Sequence, residues 1–264
     1  MLPRPIYGVW RRARIFLAET SAAARRRPAL EEQMRSALRQ SGLLVVLAGP
    51  FAGMAYAEGS AGSELVPKLL GTYEEELHSS IEDSISAGYE VVLNVGCGEG
   101  YYAVGMARRM PEVHVIAYDI DPEARRLCGE MARLNSVADR VAVAGECTWS
   151  DLRDQLADRR ALIIMDCEGC EATLLDPVKL ADLREAAVIV ELHEFAVPGV
   201  GRTVPDRFAS SHSVQLFDAR RRPPTTHPAI VGLGREATRV AVDERRPPGM
   251  QWAVMVPVTS RQAD

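Results

Sequence analysis

The feature that most constrains this chain is a rhythm of short apolar runs separated by helical stretches. VVLNV (91–95), VHVIAYD (113–119), VAVAGE (141–146), ALIIMD (161–166) and AVIVELH (187–193) each read as a strand. Runs that are apolar at successive positions bury both faces of a strand. After the first run, YYAVGMARRM reads as a helix stopped by Pro111. After the second, Ala124, Leu127, Cys128, Met131 and Leu134 share one helical face. SDLRDQLADRR, with Ser150 as its N-cap, follows the third, and ATLLDPVKLADLREA, interrupted at Pro177, follows the fourth. Such alternation predicts a parallel sheet covered on both sides. Two later runs, VQLF (214–217) and WAVMVPV (252–258), are expected to close it. The fold class expected is α/β: a Rossmann-like, doubly wound, mostly parallel seven-stranded sheet with helices on both faces, plus an N-terminal helical appendage. Its expected boundaries are 1–48 for a basic helical appendage, 49–90 for a connecting or lid segment over the strand ends, and 91–264 for the ligand-binding sheet domain.

Charge is unevenly spread. Residues 1–40 hold nine arginines, no lysine and three glutamates, whereas the whole chain carries a formal charge of -5. Leu30, Met34, Ala37 and Leu38 recur at helical spacing, which favours an integral helix docked on an acidic body, its own or a partner subunit's. Homodimerisation through these N-terminal helices is one expectation. No apolar run approaches the roughly 20 residues of a membrane span. The body is acidic and only 6% of residues are aromatic, so neither a nucleic-acid partner nor a membrane is expected. Five cysteines, an odd count scattered between 97 and 170, make no disulfide framework, so a cytoplasmic location is expected.

The first strand runs into NVGCGEGYY, where Gly96, Gly98 and Gly100 form GxGxG. Small residues at a strand-to-helix turn let a ligand approach the backbone. A dinucleotide fingerprint needs its last glycine one position later, where this chain has Tyr101. Asp119, with Ile120 beside it in AYDIDPEAR, ends the second strand where ribose hydroxyls need a carboxylate. Glu146 and Cys147, in AGECT, follow the third strand, and Asp166 ends the fourth. Four features at consecutive strand ends mark the crevice in which open α/β sheets bind ligands.

These segments resemble class I S-adenosylmethionine-dependent methyltransferases, in which the GxGxG loop holds the amino-acid tail and nucleoside of the cofactor. The resemblance implies ribose contact at Asp119 and an acidic residue near the adenine at Glu146. It also implies an Asp or Glu where this chain has Asn94. An amide can accept a hydrogen bond but offers no charge to the cofactor's ammonium. Tyr73 and Glu74, in GTYEEELH, are candidate helpers there.

IIMDCEGCEATLL followed by VIVELHEF is similar to the FkbM-type branch of that class, through Asp166, Glu168, Gly169 and Glu171, then Glu191 and His193. The similarity covers roughly residues 65–220. It implies O-methylation of a small-molecule acceptor of natural-product type. Methyl transfer is an in-line displacement at a sulfonium carbon, and a hydroxyl acceptor must lose its proton to a base or a bound metal. Glu191 and His193, two apart on a strand, point to one side, with Asp166 on the neighbouring strand. The three are therefore candidates for the catalytic base set or for a divalent metal site. Use of the sulfonium for non-methylating chemistry, or cofactor binding without catalysis, are the alternative readings.

The Cys167-x-x-Cys170 pair admits a redox or zinc reading. No second CxxC exists to complete a zinc site, so the cysteines are expected to pack and the carboxylates around them to act. His212, His227 and Trp252 could line an acceptor pocket, but the expectation preferred is that they are surface or packing residues, and that ARRRPP (219–224) is a solvated turn.

Overall fold

The computed structural model describes residues 22–39 and 42–258; the basic stretch before Ala22 lies outside the described residues. Helix α1 (Ala22–Leu38) leads into a two-stranded antiparallel ribbon of β1 (Leu44–Val45) and β2 (Ala55–Tyr56), then α2 (Leu65–Leu70) and α3 (His78–Ser86). The alternating unit follows: β3 (Val91–Val95), α4 (Tyr101–Arg109), β4 (His114–Tyr118), α5 (Pro122–Leu134), β5 (Val141–Ala144), α6 (Trp149–Leu156), β6 (Ala161–Met165), the short α7 (Glu171–Leu174) and β7 (Ala187–Leu192). Helix α8 (Val200–Phe208), β8 (His212–Asp218), the short α9 (Pro228–Val231) and α10 (Arg235–Val240), and β9 (Gln251–Pro257) complete it.

One seven-stranded sheet results, in the order β5-β4-β3-β6-β7-β9-β8. Strands β3 to β7 pair in parallel, and β9 runs antiparallel between β7 and β8. The expected doubly wound sheet and both closing strands are present. The order reverses between β3 and β6, which opens the crevice at their carboxyl ends.

Every residue of β3, β6 and β7 is buried. One face sends Val92, Leu162, Ile164, Ile189 and Val254 into a core shared with the ribbon and with α2 to α5. The other sends Leu93, Ile163, Met165, Val188 and Met255 against α6 and α8. Period-two alternation thus fills two cores from one set of apolar runs. Phe51, Met54, Leu69 and Tyr73, from the 49–90 segment, belong to the first core. Helix α1 docks on the same body: Met34 and Leu38 are buried, and Arg27 pairs with Asp243 at 2.8 Å and Glu64 at 3.2 Å.

Three local expectations change. Helix α6 is capped by Thr148, not Ser150: Thr148 Oγ1 accepts from the Asp151 amide while the Asp151 carboxylate takes the Thr148 amide. That reciprocal pair satisfies two otherwise orphaned donors, which Ser150 inside the first turn cannot do. Leu134, on the expected buried face of α5, is 39% exposed because it is the last helical residue. Beyond α7, the stretch around Pro177 forms turns and a 3-10 turn at Ala181–Arg184 rather than a resumed helix.

Candidate active site

The glycine loop is shaped by its neighbour. Gly96, Gly98 and Gly100 all have φ between +53° and +96°, a region that side chains disfavour. A Cβ on Gly96 would lie 1.7 Å from the carbonyl oxygen of Asp166. Only glycine therefore lets the β3 loop touch the end of β6. This contact brings the cofactor-type loop and the strand-end carboxylate together. The Gly98 amide donates to Asp119 Oδ2 at 2.9 Å, and the Asp121 amide to Asp119 Oδ1 at 2.8 Å. Burial raises the Asp119 carboxyl above its ordinary value despite these two bonds.

Glu99, inside the glycine loop, does something spacing did not suggest. Its side chain is 1% exposed and pairs with Lys68, itself 3% exposed. It also accepts from Tyr56 Oη at 2.5 Å and from the Ala61 amide at 3.0 Å. Burial pushes the carboxyl up, but Lys68 and these hydrogen bonds outweigh it, leaving it below its ordinary value. The 56–68 segment is thereby tied over the loop, with the Ala61 carbonyl against Gly98.

At the ends of β6 and β7 the predicted trio assembles. His193 Nε2 lies 3.2 Å from Asp166 Oδ1 and 3.7 Å from Glu191 Oε1. One ligand atom from each of Asp166, Glu191 and His193 fits within 4.8 Å of the others. His193 is itself 1% exposed, whereas the Asp166 side chain is 41% exposed. The residue that orders the group is Glu171, fully buried at the start of α7. Its Oε1 accepts from both the amide (2.9 Å) and Nδ1 (3.0 Å) of His193, and its Oε2 from the Gly169 amide. Burial lowers the His193 pKa, but the bonds to Asp166 and Glu171, with Glu191 nearby, raise it well above the ordinary value.

A second polar group adjoins the first. Arg246, from the loop before β9, donates to Glu191 Oε2 at 2.8 Å, to Glu244 Oε2 at 2.8 Å and to Glu74 Oε1. Its guanidinium carbon lies 4.6 Å from the Trp252 ring centre and 5.3 Å from that of Tyr73. Glu74 also accepts from the Tyr102 hydroxyl, and burial pushes its carboxyl up to about 7. Arg222 completes the network through Glu76 at 2.6 Å and Glu244 at 2.8 Å. Non-glycine residues with left-handed backbone include Glu74 (φ 47°), Glu168 (φ 54°) and Arg245 (φ 53°), all beside this site. Such strain persists only where surrounding contacts overdetermine it.

The expected site residues thus divide. Asp166, Glu191 and His193 come together, and Tyr73 stands close by through Arg246. Asn94 is buried on β3, its Nδ2 on the Ile164 carbonyl at 3.3 Å and its Oδ1 without a partner among the described residues. Ile120 is 52% exposed at the β4 end, and Glu146 and Cys147 occupy the loop after β5, Glu146 exposed.

Several expectations are corrected. Cys167 and Cys170 do not merely pack: they are bonded to each other, their Cα atoms 5.5 Å apart across the left-handed pair Glu168-Gly169. Trp252 packs but also lines the recess beside Asp166. Arg222 is a buried tie, 7% exposed, rather than part of a solvated turn. His212 does pack, 4% exposed, with Nε2 on the Ala186 carbonyl at 2.9 Å. Sequence reasoning missed Arg246 and Glu99 altogether. No spacing marks Arg246, since its partners come from positions as distant as 74 and 191.

This sheet order, with a glycine loop at β3 and acidic residues at the following strand ends, is the fold of class I methyltransferases. The family model of the TRM5/TYW2 methyltransferase domain matches residues 76–219, more than half of the chain, and the chain belongs to that family. It is similar in fold to the human methyltransferase 10 domain containing protein, with a TM-score of 0.51 and 11% identity over 89% of this chain and 98% of that one. Cofactor-bound Rv0187 from MTB matches with a TM-score of 0.48 and 12% identity over 91% of this chain and 94% of that one. The O-methyltransferase TomG from Streptomyces achromogenes, solved with SAM, matches at 0.45 and 11% over 94% and 98%. No curated protein matches the sequence. Among the described residues no helix is long and apolar enough to cross a membrane.

Proposed function

We propose that this methyltransferase transfers the sulfonium methyl of S-adenosylmethionine to a hydroxyl oxygen of a small molecule. The observation that carries the reading is the Asp166–His193–Glu171 chain, placed against the glycine loop by the Gly96 contact. The FkbM-like Asp-x-Glu-Gly-x-Glu and Glu-x-His segments supply its members. The O–CH3 bond forms as the S–CH3 bond breaks, and the bonding pair leaves with sulfur as S-adenosylhomocysteine. The hydroxyl proton passes to Asp166 and is held at Nε2 of His193, with Glu171 stabilising the imidazolium at Nδ1. Asp119 and Ile120 would hold the ribose and adenine, and the loop of Glu146 and Cys147 would border the base. Asn94 Oδ1, buried without a partner among the described residues, suits the cofactor's ammonium.

One imidazole nitrogen and two carboxylates also suit a divalent metal. Asp166, Glu191 and His193 Nε2 would hold it, and it would polarise the acceptor oxygen as a Lewis acid. Arg246 competes with it for Glu191.

The test is product analysis with labelled S-adenosylmethionine and a panel of small hydroxylated acceptors. Formation of S-adenosylhomocysteine with label on oxygen is expected; methylthioadenosine as the product would overturn the reading. A second reading is carried by the family match, since the TRM5/TYW2 type is RNA-modifying. Label appearing in RNA and in no small molecule would replace the first reading with that one.

A further inference from the structure

The loop from Cys167 to Cys170 occupies a junction. Asp166 immediately precedes it and Glu171 immediately follows it, and these two carboxylates meet the two ring nitrogens of His193. On one side the loop abuts the glycine turn. The Asp166 amide donates to the Val95 carbonyl at 2.9 Å, and a Cβ on Gly96 would stand 3.3 Å from Cys167 Cα. On the other side it meets the turn after His193. A Cβ on Gly169 would lie 3.3 Å from Val197 and 3.4 Å from Ala196, whose amides both donate to the His193 carbonyl at 2.9 Å.

A bond between the two sulfurs closes this loop. Inside it, Glu168 (φ 54°) and Gly169 (φ 116°) both have positive φ. A glutamate keeps such a backbone only while its surroundings hold it there. The same turn aims the Gly169 amide at Glu171 Oε2, 2.9 Å away. Cys167 Sγ lies 3.4 Å from that oxygen. In the closed form this sulfur carries no hydrogen. Reduction gives it one and makes it a competing donor. Opening the bond thus acts twice on one carboxylate: it frees the turn that presents the Gly169 amide, and it offers a thiol in that place. The other oxygen of the same carboxylate carries both bonds to His193. Helix α7 adds little resistance, since it spans only four residues. The pair is also reachable. Cys167 and Cys170 are half-buried and the Glu168 side chain between them is 41% exposed, whereas Cys97 and Cys128 are buried.

We infer that Cys167 and Cys170 form a reversible redox site: closed, it holds Glu171 and His193 in place, and opened by a dithiol it releases them. A thiolate of the dithiol attacks one protein sulfur, and the S–S bond breaks toward the other. The dithiol's second sulfur then displaces the first protein sulfur from the mixed disulfide. Two electrons and two protons pass to the cysteines, and the dithiol leaves as its own disulfide. A small disulfide closes the site again and returns two thiols. The redox site is independent of the methyl acceptor; slower turnover on opening rests on the role proposed above for His193.

The experiment equilibrates the full chain with dithiothreitol or with glutathione disulfide. Blocking free thiols with iodoacetamide and weighing the peptide that holds both cysteines reports the bond, expected open in the first buffer and closed in the second. Hydrogen exchange is then followed by NMR in both forms. The His193 amide is expected to exchange about tenfold faster or more in the open form, with the Leu93 amide of β3 unchanged. Cys167→Ser/Cys170→Ser is expected to exchange as the open form does in either buffer. A difference between buffers that persists in this variant belongs to other cysteines and overturns the inference. Should the variant fail to fold, Cys128→Ala is expected to keep the wild-type difference, and its loss there overturns the inference equally. So does a pair that stays in one state in both buffers, or equal exchange at His193 in the two forms. The two readings fail separately. Equal turnover of a hydroxylated acceptor by both forms removes the redox site's hold on His193 and leaves O-methylation standing. Exchange at His193 set by the bond, with no S-adenosylhomocysteine formed from any acceptor, leaves the redox site and removes O-methylation.

Discussion

Glu171 Oε1 accepts two hydrogen bonds from His193, one from its amide at 2.9 Å and one from Nδ1 at 3.0 Å, across 22 residues of sequence. The bonds fix both the position and the tautomer of the imidazole, leaving Nε2 toward Asp166. Glu171 is fully buried, so its removal strands three donors. Glu171→Ala is expected to cost about 3–5 kcal/mol in urea unfolding.

The milder Glu171→Gln keeps an acceptor and removes the charge. His193 titrates well above its ordinary value because hydrogen bonds to Asp166 and Glu171 outweigh burial. A base with a raised pKa is protonated, and idle, below that pKa, so turnover rises as pH passes through it. Glu171→Gln is expected to move both the imidazole titration, read by NMR, and the rising limb of the rate profile to lower pH. A rate profile that stays put while the NMR titration moves would take His193 out of proton transfer.

Asp166→Asn tests the proposed proton acceptor itself. The amide nearly preserves shape but cannot take a proton. Turnover is expected to fall by about 10²–10⁴-fold, with affinity for S-adenosylhomocysteine changed by no more than about threefold, measured by calorimetry.

Glu99 gives a pH signature for the segment over the glycine loop. Its folded-state carboxyl sits below the ordinary value. The stability it contributes is therefore present above the unfolded pKa, near 4.5, and is lost as pH falls through the folded one. Glu99→Gln strands the buried Lys68 ammonium and is expected to cost about 3–5 kcal/mol at neutral pH. Acid titrations of the two proteins should converge below the ordinary carboxylate range. A constant difference at all pH values would show that the ion pair is not its source.

A matched pair of alanines tests the contact on which the site is built. Gly96→Ala places a Cβ 1.7 Å from a backbone oxygen at φ +78°, and is expected to cost about 3 kcal/mol or more. Gly145→Ala, with nothing within 4 Å of its Cβ, is expected to stay within about 0.5 kcal/mol. Thermal unfolding of both variants reads the difference.

Much of this was legible in one dimension. The apolar runs set the strands, because burial on both faces leaves no polar position in VVLNV except Asn94 or in ALIIM at all. The glycines announced a close approach, and the period of two placed Glu191 and His193 on one side of their strand. Local periodicity and turn chemistry act over a few residues, so they survive in the bare string. What spacing could not show is which distant groups neutralise one another. Arg246 meets Glu74 and Glu191 across 172 and 55 residues. Lys68 meets Glu99 across 31. The bond between Cys167 and Cys170 depends on a left-handed turn at Glu168 and Gly169. A buried charge is stable only beside its partner. Partners are chosen by the three-dimensional packing of the sheet face, so the sequence alone determined the sheet and its reactive edge. The tertiary structure decided which carboxylate holds the histidine and which arginine answers Glu74 and Glu191.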